Sequence, residues 1–305
     1  MELRIAFLQP SRPKAINKNA IAVRFGRFII NAFDSNTHVW YRSTISLRLC
    51  CYGGGPVSNS LRIACVRCSL KFVARVCSKL LDSFLHLLNK SPAGAVFNPW
   101  WEVDEQNDAA RIAPAIRRNQ LHAYLQRRLG NATLAIIGEG LGYRGGHFTG
   151  IPMTSERLLL GRSNKVQVKS SDFFSGIKPR RTSKPEKYPD GFSEPTATIV
   201  WDTLLRLGLK PDQFILWNAF PWHSFDPHRG LLSNRMPNKA EQQAGRPVLM
   251  AFLKLFPCKE MVALGKIAAA QLEQLGVNAH CIRHPASGGA KLFREQIAKI
   301  AKGLR

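Results

Sequence analysis

Thr133-Leu-Ala-Ile-Ile-Gly-Glu-Gly-Leu-Gly142 is an unbroken apolar run that stops on a glycine-rich turn, and its reading decides the fold. A strand with one wet face alternates apolar and polar side chains, whereas a short run without alternation belongs to a strand covered on both faces, as in a parallel sheet. Three later stretches share this character: Gln213-Phe-Ile-Leu-Trp217, Met261-Val-Ala-Leu264 and Val277-Asn-Ala-His-Cys-Ile282. Apolar residues at helical spacing lie between them, around Ala197–Leu207, Lys239–Leu255 and Lys266–Leu275. Strands alternating with helices predict a three-layer α/β/α domain with a small, four-stranded, mainly parallel sheet.

Upstream, Val73, Val76, Leu80, Leu81, Phe84, Leu87 and Leu88 predict an amphipathic helix from Phe72 that Ser91-Pro92 stops. A second helix is predicted from Pro114 to Leu129. Ile116, Leu121, Tyr124 and Leu125 face inward in this reading, Arg117, Arg118, Arg127 and Arg128 face outward, and Gly130-Asn131 ends it. Residues 1–71 show no sustained period and are read as a poorly structured basic extension, so the domain is expected over residues 72–305. Their Arg- and Ser-bearing, acid-poor composition is also that of an organelle transit peptide, although the segment is long for one and carries interior cysteines.

The 305 residues carry 44 Lys+Arg against 20 Asp+Glu, a net charge of +24, with 45% hydrophobic residues. That apolar content supports a sizeable core and excludes a disordered polyelectrolyte. The charge excess calls for a polyanionic partner, with the DNA phosphate backbone first. No run of about eighteen apolar residues occurs, so no membrane partner is expected. Five of the seven cysteines (Cys50, Cys51, Cys65, Cys68 and Cys77) precede residue 78 and only Cys258 and Cys281 follow. An odd total in a long chain suits a reducing compartment better than a secreted disulfide scaffold. A cytoplasmic monomer is expected, or an organellar or nuclear one if residues 1–71 are a targeting segment. Cys65-Val-Arg-Cys68 has zinc-ligand spacing without a second pair to complete four ligands, so no metal and no cofactor is expected.

In an open parallel sheet, ligands bind outside the carboxyl ends of the strands. The first strand releases Gly138-Glu-Gly-Leu-Gly-Tyr-Arg-Gly-Gly-His-Phe-Thr-Gly150, the second Asn218-Ala-Phe-Pro-Trp-His223 and the fourth Arg283-His-Pro-Ala-Ser-Gly-Gly289. A carboxylate, an amide, a histidine, aromatics and backbone-exposing glycines therefore meet at one edge. Between Arg162 and Pro195, a long polar segment carries Lys178-Pro-Arg-Arg-Thr-Ser-Lys-Pro-Glu-Lys187, and a connection of that length is usually functional or disordered.

These four segments, in this order, resemble the uracil-DNA glycosylase superfamily. Gly138-Glu-Gly-Leu-Gly142 is similar to the Gly-Glu-Ala-Pro-Gly form of its first motif, Phe148-Thr-Gly150 to the stacking-Phe segment, Asn218 to the base-reading Asn, and His284-Pro285 to the last motif. The resemblance implies removal of a damaged base, most readily uracil, from DNA. Catalytic parts fall to Glu139 and His284, and base binding to the backbone around Gly140, to Phe148 and to Asn218. Arg180, Arg181, Lys184, Lys187, Ser287, Gly288 and Lys291 are read as DNA contacts. Cleaving an N-glycosidic bond requires donors aimed at the departing base and a water-orienting group near the sugar, which His284 and Glu139 supply. Gly140 stands where some branches place an Asp or Asn that activates water, and Gly142 where others place a Tyr against the base C5 position. The second cysteine pair of the iron–sulfur branch is missing, so no cluster is expected.

Structural roles stand beside these. Glu139 could cap a helix, Asn218 could form a turn, and His284 could be a satisfied loop histidine; Phe148 could be core, and residues 178–187 a solvated loop. Two other functions remain open: a metal-dependent hydrolase built on His223, Asp226 and His228, and a non-catalytic nucleic-acid-binding protein.

Overall fold

The computed structural model describes residues 78–304 throughout and, before them, three strands. The chain divides into two units, Met1–Val76 and Cys77–Arg305. In the first, β1 (Glu2–Phe7), β2 (Arg27–Asp34) and β3 (Val39–Ser46) form an antiparallel sheet in that order, with Glu2 opposite Phe33 and Asp34 opposite Val39. These strands lie where the sequence shows no sustained period. In β2, Phe28, Ile29, Ile30, Ala32 and Phe33 place apolar residues on both parities, which removes the alternation while keeping the β-branched and aromatic content that favours strands. Cys65, Cys68 and the predicted helix start at Phe72 lie outside the described residues.

The second unit opens with α1 (78–87) and β4 (Val96–Phe97), followed by α2 (Ala113–Arg128). Then come β5 (Leu134–Gly140), three short helices α3 (Gly146–Thr149), α4 (Glu156–Leu159) and α5 (Ser170–Phe173), and α6 (Pro195–Arg206). The chain continues through β6 (Phe214–Phe220), β7 (His223–Ser224), α7 (Lys239–Leu255), β8 (Glu260–Leu264), α8 (Lys266–Glu273), β9 (His280–Ile282) and α9 (Ala290–Lys302). The main sheet has the order β6-β5-β8-β9 and every pairing is parallel, so the expected α/β class and four-stranded sheet are present. β5 is interior, and Leu134 through Ile137 have no exposure, as an unalternating run requires. Leu134, Ile136 and Ile137 each contribute roughly 1.5–3 kcal/mol of burial free energy. α9, which the sequence reading did not include, buries Phe293, Ile297 and Ala301 at four-residue spacing.

Two arginines expected to face outward are fully buried. Arg128 donates to the carbonyls of Phe214 (2.9 Å), Phe173 (2.8 Å), Tyr124 and Asp172 (both 3.1 Å), and lies 3.7 Å over the Tyr124 ring. Burial lowers its pKa to about 10. Arg117 makes a two-pronged ion pair with Asp108, 2.7 and 3.0 Å, and also donates to the carbonyls of Pro99 and Glu102 and to Thr182 Oγ1. Helical periodicity treats arginine as a surface residue. Here its five fixed donors satisfy loop carbonyls that would otherwise be buried without partners.

The segment between Arg162 and Pro195 is held in place. Glu156 accepts from the backbone N–H groups of Thr182 (2.7 Å) and Ser183 (3.0 Å) and from Ser183 Oγ, while Thr182 Oγ1 donates to the Phe148 carbonyl at 2.6 Å. Among the described residues, no helix is long and apolar enough to cross a membrane.

Two outcomes follow for thermal and denaturant unfolding. Asp108→Ala leaves the Arg117 guanidinium buried and unpaired and should cost about 3–5 kcal/mol; the pair replaced by two apolar residues of matching volume should cost less than that single change. A chain beginning at Cys77 should retain the cooperative melt of the full protein, since the second unit carries its own sheet and core.

Candidate active site

Parallel pairing places Gly138 opposite Asn218 and Gly140 opposite Phe220, and brings the ends of β5, β6, β8 and β9 to one edge. Glu139 and His284 meet there around Gly265. A Cβ at residue 265 would lie 2.8 Å from Glu139 Oε1 and 4.0 Å from His284 Cβ, and the φ of +89° independently selects glycine. Gly265 is also the N-cap of α8, so the Glu139 carboxyl lies beside that helix start. Burial raises the Glu139 pKa. His284 sits in the turn after β9, and its Nδ1 accepts the Ala286 backbone N–H at 3.1 Å. A neutral imidazole that accepts at Nδ1 carries its proton on Nε2, so His284 presents a donor. Burial and then Arg283 lower its pKa, which favours that neutral form.

The base-binding candidates are placed less simply. Asn218 is 1% exposed, and with its amide turned so that the nitrogen faces the Trp217 carbonyl (3.1 Å) and the oxygen faces the Leu141 N–H (3.3 Å), an N–H that also donates to the Trp222 carbonyl, both ends of the amide find partners. Gly138 allows this: its Cβ would fall 2.5 Å from the Asn218 amide. Of the amide's two hydrogens and two lone pairs, one of each remains uncommitted. Gly140 lies beneath Pro237, whose Cγ is 3.6 Å from the point where its Cβ would be. Phe148 has no exposure; its ring stacks on Phe192 at 4.2 Å and packs against His147 at 4.4 Å.

Behind these residues runs a buried polar chain that the sequence did not disclose. His223 Nε2 contacts the Ser233 carbonyl at 2.7 Å, and a carbonyl only accepts, so Nε2 carries the proton. Burial and the neighbouring His147 push the His223 pKa down to about 3, so its Nδ1 is an acceptor, filled by His147 Nδ1 at 3.0 Å. His147 Nε2 then faces Asp104 Oδ2 at 3.1 Å. Burial lowers the His147 pKa, while the upward push of burial on Asp104 is outweighed by hydrogen bonds from His147 and Asn107. The chain ties the loop after β5 to the strand β7 and to the turn containing Asp104.

This arrangement corrects the metal reading of His223, Asp226 and His228. Both His223 nitrogens are taken by protein partners, and Asp226 Oδ1 accepts the His228 backbone N–H at 3.0 Å in a local turn. Among the described residues, no group of three His, Cys, Asp or Glu side chains is placed to hold a metal ion.

The basic candidates divide. Arg181 donates to Ser183, Tyr188 and Pro189, and Lys184 and Lys187 donate to the Glu105, Gln106 and Asn107 turn, so these three fasten the protein to itself. Arg180 is exposed, as are Ser287, Gly288 and Lys291 around the tip that follows His284. A further residue was missed. Glu194, the N-cap residue of α6, places its carboxyl against Gly142 and Gly145 in the loop after β5.

No family model and no curated protein matches the chain. Among solved structures, it is similar to wild-type SMUG2 of Pedobacter heparinus, with 14% identity and a TM-score of 0.48, over 74% of this chain and 97% of that one. At that level of similarity, the chemistry of the site has to be judged from its own geometry.

The His284 geometry predicts a nitrogen-detected NMR spectrum with the proton on Nε2 at neutral pH and a titration midpoint below the ordinary imidazole value of about 6.5. Because the folded form resists protonation, His284 takes stability away as pH falls below about 6.5, and His284→Ala should flatten that part of the stability profile. A midpoint at or above the ordinary value would contradict the assignment.

Proposed function

We propose that this chain is a DNA glycosylase that hydrolyses the N-glycosidic bond of an extruded damaged base, uracil foremost, in base excision repair. The observation that carries this reading is the convergence of Glu139 and His284 at Gly265, on the carboxyl edge of the sheet, with the His284 proton on Nε2. When the bond between the base nitrogen and the sugar C1′ breaks, its electron pair leaves with the base, and the negative charge spreads onto the base carbonyl oxygen. His284 Nε2–H donates to that oxygen. Glu139 orients the water that bonds to C1′ and accepts its proton, and the raised pKa makes this carboxylate a stronger base than an exposed one.

The remaining parts follow from placement. The free hydrogen and lone pair of Asn218 suit the N–H and carbonyl of a uracil edge, and the Gly140 backbone lies beside them. A base stacks on Phe148 only where His147 or Phe192 gives way. Extrusion of the base brings it within reach of groups that a duplex would otherwise hide. Arg180, Lys291 and the exposed Ser287–Gly288 backbone are the phosphate contacts of this reading, and binding through them should weaken as salt rises.

Oligonucleotides carrying uracil, hypoxanthine, xanthine or mismatched thymine, incubated with the protein and cleaved with alkali at abasic sites, test the proposal. Uracil should be released. His284→Ala should slow single-turnover release by roughly a hundredfold or more while leaving DNA binding in place. Glu139→Gln should slow it by about 10²- to 10⁴-fold. Binding without abasic product from any oligonucleotide would leave a nucleic-acid-binding protein instead.

A further inference from the structure

Glu194 is a carboxyl beside the loop leaving β5 that the chemistry above does not use. A Cβ at residue 145 would lie 2.0 Å from its Oε2, and one at residue 142 would lie 3.1 Å from its Oε1, so two glycines make room for it in the loop that leaves β5. Although Glu194 keeps some exposure as a residue, Oε2 is buried and has no hydrogen-bond partner. Nor does the side chain cap α6. An unpaired buried group of this kind destabilises a fold unless something outside the chain satisfies it.

The neighbouring polar groups are engaged elsewhere. Asn234 Oδ1 accepts the Tyr143 N–H at 3.0 Å, and Arg144 Nε donates to Tyr143 Oη at 2.8 Å. His147 is committed to Asp104 and His223, and Arg235 to Glu241 at 2.6 and 2.7 Å. Glu194 itself has no charged partner shifting its titration, and burial alone pushes its pKa up to about 7. At neutral pH a large share of it is therefore a carboxylic acid, with one O–H donor and remaining acceptor capacity.

We infer that Glu194 is a specificity-determining residue that donates a hydrogen bond from Oε2 to a carbonyl oxygen of the extruded base, selecting deaminated bases that carry a carbonyl where the parent base carries an amino group. This rests on the glycosylase reading. The bond forms once the loop of Gly142, Gly145 and Gly146 yields to admit the base. A protonated carboxyl facing a carbonyl attracts it, whereas an ionised one presents a second acceptor and repels it. Glu139 governs the acid side of the activity profile, since protonation removes the base that activates water, and burial places that loss above the usual carboxylate range. Glu194 governs the alkaline side, because its loss of a proton near pH 7 removes the donor.

The test is kcat/KM for uracil- and hypoxanthine-containing oligonucleotides from pH 5.5 to 9 in the wild type, Glu194→Gln and Glu194→Leu. Wild-type activity should decline above pH 7. Glu194→Gln, which keeps an N–H donor at every pH, should match the wild type within a few-fold near pH 6.5, exceed it at pH 8.5 and lose the alkaline decline. Glu194→Leu should lose roughly ten- to a hundredfold on both bases. Should the leucine variant fail to fold, the glutamine profile decides alone. An active wild type whose alkaline profile coincides with that of Glu194→Gln overturns the role of Glu194 and leaves the glycosylase reading standing. A wild type that releases none of the bases overturns both.

Discussion

The buried ion pair between Arg117 and Asp108 is the constraint on which the rest of the site architecture hangs. Both side chains have no exposure, and the guanidinium reaches Pro99, Glu102 and Thr182 as well as Asp108. Taking two charges out of water costs several kcal/mol per ion before attraction returns any of it, so such a pair persists where its remaining donors are also filled. Here they are filled by the segment on which Asp104 sits. Asp104 meets His147, His147 meets His223, and Thr182 holds the Phe148 carbonyl. A helix that holds none of the candidate catalytic residues thus orients the loop that leaves β5, through contacts none of which is local in sequence.

The fold was legible because its main strand has no alternation. Leu134-Ala-Ile-Ile137 is apolar at every position, and burial on both faces in a parallel sheet is what that pattern requires. α7 matched in full because Asn238 and Glu241 form a reciprocal cap whose spacing is visible in sequence. The strands of the first unit were not legible, since apolar residues on both parities of β2 give no period. Arg117 and Arg128 misled for a different reason. Periodicity registers charge as outward, and nothing local announces that distant carbonyls will surround a guanidinium.

The same limit applies to the site. Glu139 and His284 were legible as candidates because each lies two residues beyond an apolar run, where the carboxyl edge of a parallel sheet is. Asp104 and Glu194 lie on connections, and their partners are 43 residues away in one case and a glycine loop in the other. Charge was over-read. The +24 excess counts Arg117, Arg128, Arg181, Arg235, Lys184 and Lys187 as available to a polyanion, whereas each of their charged groups is bound to carbonyls or carboxylates of the protein. Fewer cationic groups are therefore free of protein partners than the composition suggests, and Arg180 and Lys291 are among the exposed ones.

The glutamates separate structure from chemistry. Glu241 is held below the usual carboxylate range by its hydrogen bonds from Arg235, and Glu156 accepts from Thr182 and Ser183; both are fully occupied in holding loops. Glu139 and Glu194 have their pKa values raised by burial, and they alone among these four face the glycine-rich exit of β5. Side-chain type cannot make that distinction, since all four are the same residue. What distinguishes them is whether the fold supplies a partner. An acid left without one beside glycines that admit close approach is poised to exchange a proton or a hydrogen bond with something the chain itself does not contain. The two carboxyls stand against different glycines, Glu139 against Gly265 and Glu194 against Gly142 and Gly145 in the loop that leaves β5.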